Sequence, residues 1–367
     1  MKCSWDGHRW RIQKMQDGKM FSFSCSTPGA KGRKECVRKY EAWLYNEGSG
    51  EKTVKRVCDE FLEDVAMRRG KDSASFEQYE RYIRLYIAPK CAGKKMCKMT
   101  LRDWQGVING ACGANKPLSK KTLENLRGII MGIIKFGYSD YQCEMPRGNL
   151  YIPQGHEKKE KEILQPEQIK RLFEPSDLWF YPAFVFMVLT GLRPGECLGI
   201  RVEDIQGGRL KISRSITVRG KITSGKNENA RRAIPLGEMA LSVLEQTIKR
   251  NNDYKLHTPW IFCAKDGDQG SQSTMRNHWL ILKKERGLSG SVYSLRHTFI
   301  SIMKGTSISE QLIKDCVGHS VDFQTFNTYG HIVDTDVKKT AKVIDLTFGR
   351  IKSGENLGEI LSANGGQ

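Results

Sequence analysis

The stretch from Trp179 to Leu192 limits the fold of this chain more than any other. Except at Pro182 and Thr190 it is apolar around its whole circumference, and a helix apolar on all sides has to be buried. A bilayer span takes about 20 such residues, so this run is too short to cross one. It predicts the central helix of a protein core. The residues that end it are equally informative: Thr190-Gly191-Leu192-Arg193-Pro194-Gly195-Glu196. A glycine stops the helix and a proline opens the next turn. The arginine between them is rigidly placed, and a guanidinium meets phosphate oxygens with paired hydrogen bonds. Glu196 stands one helical turn on, where it can orient Arg193. Taken alone, the same residues describe a surface arginine after a buried helix.

Three later clusters shift that balance. Ser224-Gly225-Lys226-Asn227 precedes Ala230-Arg231-Arg232-Ala233-Ile234-Pro235-Leu236, which puts Lys226 in a turn between two strands. A lysine on such a hairpin can enter a DNA groove and protonate a leaving hydroxyl. Tyr293-Ser294-Leu295-Arg296-His297-Thr298-Phe299 places a second arginine at the start of a helix. Val317-Gly318-His319 runs on to Thr328-Tyr329-Gly330-His331, a histidine after a glycine with a tyrosine in a polar segment behind it. The chain as a whole carries a formal net charge of +19, spread along its length. A balance that basic favours a polyanionic partner, most often nucleic acid.

The remaining pattern predicts three domains and a tail. Residues 1–46 read as a hairpin turning at Asp17-Gly18, followed by a helix, with Trp10 and Ile12 on one face and Arg9, Arg11 and Gln13 on the other. The open arginine face suits contact with DNA. Residues 51–152 read as a four-helix bundle: Thr53 caps the first helix, Ser75 opens the second, which stops before Pro89, and Thr100 and Ser119 open the others. Lys94, Lys95, Lys120 and Lys121 gather at its loops and helix starts, within reach of phosphates. A polar linker leads to a third domain, 163–351, whose helix opens at Pro166, and to a tail, 352–367. The fold class is thus mainly α with small β-sheets, a multidomain α+β chain. The amino terminus is too polar for a signal peptide, and 11 scattered cysteines suit a reducing cytosol. Cys91 and Cys97 lack a second pair at zinc-finger spacing. No carboxylate cluster suits two-metal catalysis, so no metal or other cofactor is expected.

Taken in order, Thr-Gly-Leu-Arg-Pro-Gly-Glu, Leu-Arg-His-Thr-Phe, Gly-His and Thr-Tyr-Gly-His resemble the wording of the tyrosine recombinases, the integrases of phages and conjugative transposons. The resemblance is strongest from about residue 164 to 345. The bundle before it looks like that family's core-site DNA-binding domain, and residues 1–46 look like its arm-site domain. The resemblance implies that Arg193 and Arg296 bind the scissile phosphate and that Lys226 is the general acid. It also implies that His319 contacts the phosphate or assists the nucleophile, that Tyr329 attacks, and that Glu196 supports Arg193. One position departs from the pattern. Tyr293 stands where the family usually has histidine, and a phenol donates a hydrogen bond but is a poor acid–base group near neutral pH.

The chemistry fits the residue types. Two arginines offset charge on the phosphate oxygens, and a tyrosine ester conserves the bond free energy for rejoining. The resemblance implies a site-specific recombinase acting as a homotetramer on paired double-stranded DNA attachment sites in the bacterial cytoplasm. An excisionase and a DNA-bending host protein are implied as partners. Residues 337–351, with Val343, Ile344, Leu346 and Phe348, suit either docking on a neighbouring protomer or packing on their own domain. Two other readings share these residues: a type IB topoisomerase-like relaxing enzyme, and a DNA-binding regulator whose site is weakened at Tyr293.

Overall fold

The computed structural model describes residues 3–16, 19–46, 52–113, 118–140, 146–153, 162–223, 232–318, 334–356 and 358. The chain divides into two compact units, 1–159 and 160–367. The first begins with three antiparallel strands in the order β1 (Ser4–Trp5), β2 (Trp10–Gln16), β3 (Lys19–Cys25), followed by α1 (Gly29–Asn46). Strand alternation sorts the sheet faces. Trp10 pairs with Cys25 and Ile12 with Phe23. Ile12, Cys25 and Cys36 form a small buried centre against which Trp10, Phe23 and Tyr40 pack. Arg11, on the other face, pairs with Asp6 at 3.1 Å, and Arg9 approaches the same carboxylate at 3.9 Å.

A helical bundle follows: α2 (Val54–Arg69), α3 (Ala74–Tyr82), α4 (Ala88–Cys91), α5 (Leu101–Cys112) and α6 (Lys120–Asp140). Their apolar stripes meet in one core that includes Phe61, Ile87, Trp104, Leu126 and Ile130. Thr53 caps α2 as the sequence suggests. The cap of α3 is Ser73, two residues earlier than expected, its hydroxyl accepting from the Phe76 N–H at 3.2 Å. Pro89 does not end the second helix either. A widened π-turn at Ile83–Ile87 intervenes, so Pro89 falls in the first turn of α4, where no donor N–H is needed.

Thr100 and Asp103 form a reciprocal capping box at the start of α5. Burial acts against the Asp103 charge, but hydrogen bonds from Lys94 and Thr100 outweigh it and hold the carboxyl at about 2. Removing this cap should cost about 1 kcal/mol. Because the folded-state pKa is lowered, that contribution is present above the unfolded value of 3.8 and fades as pH falls toward 2. Chemical denaturation of Asp103→Ala against the parent should show the gap at pH 7 and its closure near pH 2.

The second unit is organised by α8 (Tyr181–Thr190), in which every residue from Ala183 to Thr190 is buried. Each large apolar side chain sequestered there contributes about 1.5–3 kcal/mol. Before it comes α7 (Pro166–Leu172), and after it the short α9 (Pro194–Leu198). A three-stranded antiparallel sheet runs β4 (Ile205–Gln206), β5 (Arg209–Ile212), β8 (Arg232–Pro235), with a small ribbon of β6 (Ser215–Ile216) and β7 (Ile222–Thr223) between β5 and β8 in sequence. Around them lie α10 (Glu238–Asp253), α11 (Gln272–Arg286), α12 (Val292–Met303), α13 (Glu310–Val317) and α14 (Asp334–Ser353).

Helix α14 packs on its own unit. Ile344, Phe348 and Ile351 are buried in the common core, and the Phe348 ring sits 6.3 Å from Phe173 and 6.4 Å from Phe299. Asp345 accepts from the Glu238 and Met239 N–H groups and so caps α10. Leu346 remains exposed. No helix among the described residues is long and apolar enough to cross a membrane.

Candidate active site

The site grows from the end of α8. Gly191 closes that helix in the left-handed region at φ 66°, and a Cβ there would lie 2.4 Å from the Phe299 ring. Only glycine meets both demands. The chain then turns through Arg193, with Pro194 opening α9. Glu196 reaches back to accept from the Arg193 N–H at 3.0 Å and from its guanidinium at 2.6 Å. The Arg193 side chain keeps 33% of its surface exposed, whereas Glu196 keeps 4%.

Arg296 is not at the beginning of its helix. Ser291 opens α12, with the Ser294 hydroxyl accepting from the Ser291 N–H at 3.0 Å, so Arg296 lies in the second turn on the buried face. It is 0% exposed. One guanidinium nitrogen donates to the Gly191 carbonyl at 2.8 Å and another to the Val317 carbonyl at 2.6 Å. Its Nε has no hydrogen-bond partner among the described residues.

The C-terminus of α13 gathers the arginines. Gly318 caps that helix in the left-handed region at φ 64°, leaving its last carbonyls without helical partners. Cys316 O accepts from Arg232 Nε at 2.7 Å, Val317 O from Arg296, and Gly318 O from Arg193 at 2.9 Å. Three consecutive carbonyls thus hold three arginines from three separate elements.

Arg232 is the member that sequence reasoning left without a role. Its guanidinium also meets both oxygens of Glu196, at 3.2 and 2.9 Å, and its side chain is 8% exposed. Burial works to raise the Glu196 carboxyl, yet Arg232 and Arg193 together hold it below the usual carboxylate range. A signal for Arg232 was present. Ile234 is buried on β8, and alternation sends the residue two positions earlier to the same face. An inward-facing arginine there requires a buried acid, and Glu196 supplies it. Thr298, from the same motif as Arg296, has a supporting part. Its hydroxyl donates to Ser294 O and accepts from the Leu164 N–H, both at 2.8 Å.

Tyr293 is 40% exposed. Its phenol lies beside Arg193, whose charge it supports together with the nearer Glu196, against the opposing effect of burial. Its ring packs edge-on to His297 at 5.0 Å. Lys226, His319 and Tyr329 lie outside the described residues, as do residues 17–18 of the expected hairpin turn. Arg9, Arg11, Lys94, Lys95, Lys120 and Lys121 belong to the other unit. There Lys94 pairs with Asp103 at 2.6 Å and Lys121 with Glu124 at 3.7 Å, and Lys120 is exposed at the start of α6.

Paired, rigidly seated arginines on a basic chain suit an enzyme that handles a phosphodiester. The sequence model of the Phage integrase family matches residues 158–335. The tyrosine recombinase XerD of Listeria innocua serovar 6a is 23% identical over 313 residues, covering 78% of this chain and 97% of that protein. Among solved structures, the integrase of transposon Tn1549 in complex with transposon right end DNA gives a TM-score of 0.62 at 19% identity, covering 78% of this chain and 98% of that one. A lambda integrase tetramer bound to a Holliday junction gives 0.57 at 16% identity, covering 90% and 97%. Residues 158–335 thus carry a domain of the phage integrase family, and the relatives of the chain are tyrosine recombinases, enzymes that cut and rejoin DNA.

Proposed function

We propose that this chain is the site-specific integrase of a mobile genetic element, and that it exchanges strands between paired attachment sites as a homotetramer. The observation that carries the reading is the pair Arg193 and Arg296. They come from distant segments, and backbone carbonyls fix both beside residue 318. In this reading their guanidinium groups bind the non-bridging oxygens of the scissile phosphate. Charge that builds there is stabilised by donors already in place, an effect of about 10²–10³ in rate per donor in comparable sites.

The Tyr329 oxygen then attacks phosphorus. As the phenol gives up its proton and a 3′-phosphotyrosyl link forms, the bond to the 5′-oxygen breaks, and Lys226 protonates that departing oxygen to give the 5′-hydroxyl. His319 hydrogen-bonds the phosphate or assists the attack, Tyr293 donates to a phosphate oxygen, and Glu196 steadies Arg193. In the reverse step the 5′-hydroxyl of a new strand displaces the tyrosine, so no external energy source is needed.

We assign residues 1–46 to arm-site contact and 51–152 to core-site contact, with Arg9, Arg11, Lys94, Lys95, Lys120 and Lys121 on phosphates. An excisionase and a DNA-bending host protein would set direction. The test is covalent capture on a library of duplexes, each nicked near its centre and randomised in its flanks. The intact chain should form an adduct with a subset of sequences, and peptide mapping should place the DNA on Tyr329. A protein that binds duplex but never forms an adduct is a regulator, and one that forms adducts without sequence preference is a relaxing enzyme.

A further inference from the structure

We propose that Arg232 is a positioning residue that aligns both phosphate-binding arginines by locking Glu196 to the C-terminal carbonyls of α13. This rests on the assignment of Arg193 and Arg296 to the scissile phosphate.

The contacts form a closed circuit. Glu196 accepts two hydrogen bonds from Arg193 and two from Arg232, so both its oxygens are fully engaged. Arg232 passes from that carboxylate to Cys316 O, Arg193 passes from it to Gly318 O, and Arg296 takes the carbonyl between. The end of α13 is therefore fixed against α9 by two side chains that touch both, Arg193 at Gly318 and Arg232 at Cys316, and Arg232 is the one of the two that the phosphate does not engage. Without it, Glu196 would keep only Arg193, the Cys316 carbonyl would lose its donor, and the carbonyls that seat Arg193 and Arg296 would be held only by the two arginines they are meant to position.

The strand that carries Arg232 adds a second link. Lys226 lies six residues earlier in the sequence, and His319 follows Gly318 directly. Arg232 thus joins the segment leading from the general acid to the segment leading to the histidine. A displacement of about 1 Å at such a site lowers rate by about 10²-fold. Arginine is required because the role needs a planar fork, one edge on a carboxylate and a third donor on a carbonyl. A lysine ammonium offers no fork of fixed geometry.

The experiment uses the full chain and a captured nicked duplex in excess. Unfolded molecules lower the amplitude of adduct formation, whereas misaligned folded molecules lower its rate constant. Arg232→Met should form adduct at a rate constant about 10- to 100-fold lower, with duplex affinity within about threefold of the parent. Arg232→Lys retains a cation beside Glu196, protects the fold, and should recover only part of the rate constant. If either variant loses amplitude alone, with the rate constant of the parent, Arg232 only supports folding and the inference fails. Parent-like rate constants in both variants overturn it equally. Failure of the parent chain to form any adduct would instead remove the phosphate assignment itself, so the two failures are distinguishable.

Discussion

Tyr329→Phe should lose covalent capture of nicked DNA by a factor of at least about 10⁴, since removal of a nucleophile in other covalent enzymes costs up to about 10⁶ in rate. The substitution deletes one oxygen and keeps the ring, so duplex affinity should stay within about threefold. The competing nucleophile is Tyr293, which is half-exposed beside Arg193. Tyr293→Phe should keep the adduct and slow its formation by less than about tenfold, the loss of one hydrogen bond. Capture at full yield by the Tyr329 variant, with DNA mapped to Tyr293, would reverse the assignment. Time courses of adduct formation with both single variants decide between the two.

The second large effect belongs to Arg296. Arg296→Ala should lower the rate constant of adduct formation by about 10²–10³-fold. It also strips donors from the Gly191 and Val317 carbonyls, which the parent satisfies at 2.8 and 2.6 Å. Arg296→Lys keeps the charge but cannot serve two carbonyls and a phosphate from one planar group, so it should recover only a small part of the rate. Melting temperature, duplex affinity and single-turnover cleavage measured together separate these contributions. A lysine variant with the parent rate constant would mean that charge alone suffices and that the paired carbonyl contacts are incidental to the chemistry.

The parts of this structure that could be read from the sequence were those written in local chemistry. The buried helix before Gly191 follows from an all-apolar run, and Thr53, Thr100 and Pro166 announce helix starts through their own side chains. Local reading failed where a neighbour intervened. Pro89 should have stopped a helix, but the widened turn before it removed the clash. Arg296 seemed to open a helix because Ser291, which does so, is polar and unremarkable in sequence. In the site, Arg193, Glu196 and Arg296 were visible through their motifs. The Arg232 connection was not, because it joins a strand to a carboxylate 36 positions earlier and to a carbonyl 84 positions later. Alternation could have indicated its inward direction but not its partners.

Neutral oxygens do most of the holding in this pocket. Three guanidinium groups converge there; Glu196 is the carboxylate that two of them share, and Arg296 is held by carbonyls alone. Had each been fixed by an acid of its own, the pocket would be electrically balanced and have little pull on an anion. Carbonyls constrain position while leaving the charge uncancelled. The imbalance is visible at Arg296, whose proton affinity burial and the nearby Arg193 bring down to about 10. Arg296 therefore bears repulsion from its neighbour, and in the proposed reading a phosphodiester arriving between the arginines would relieve it. In that reading departure would restore the repulsion, so an arrangement that draws DNA in would also resist letting it go. For a reaction that must keep a broken strand in hand until a new one is joined, reluctance to release is an advantage.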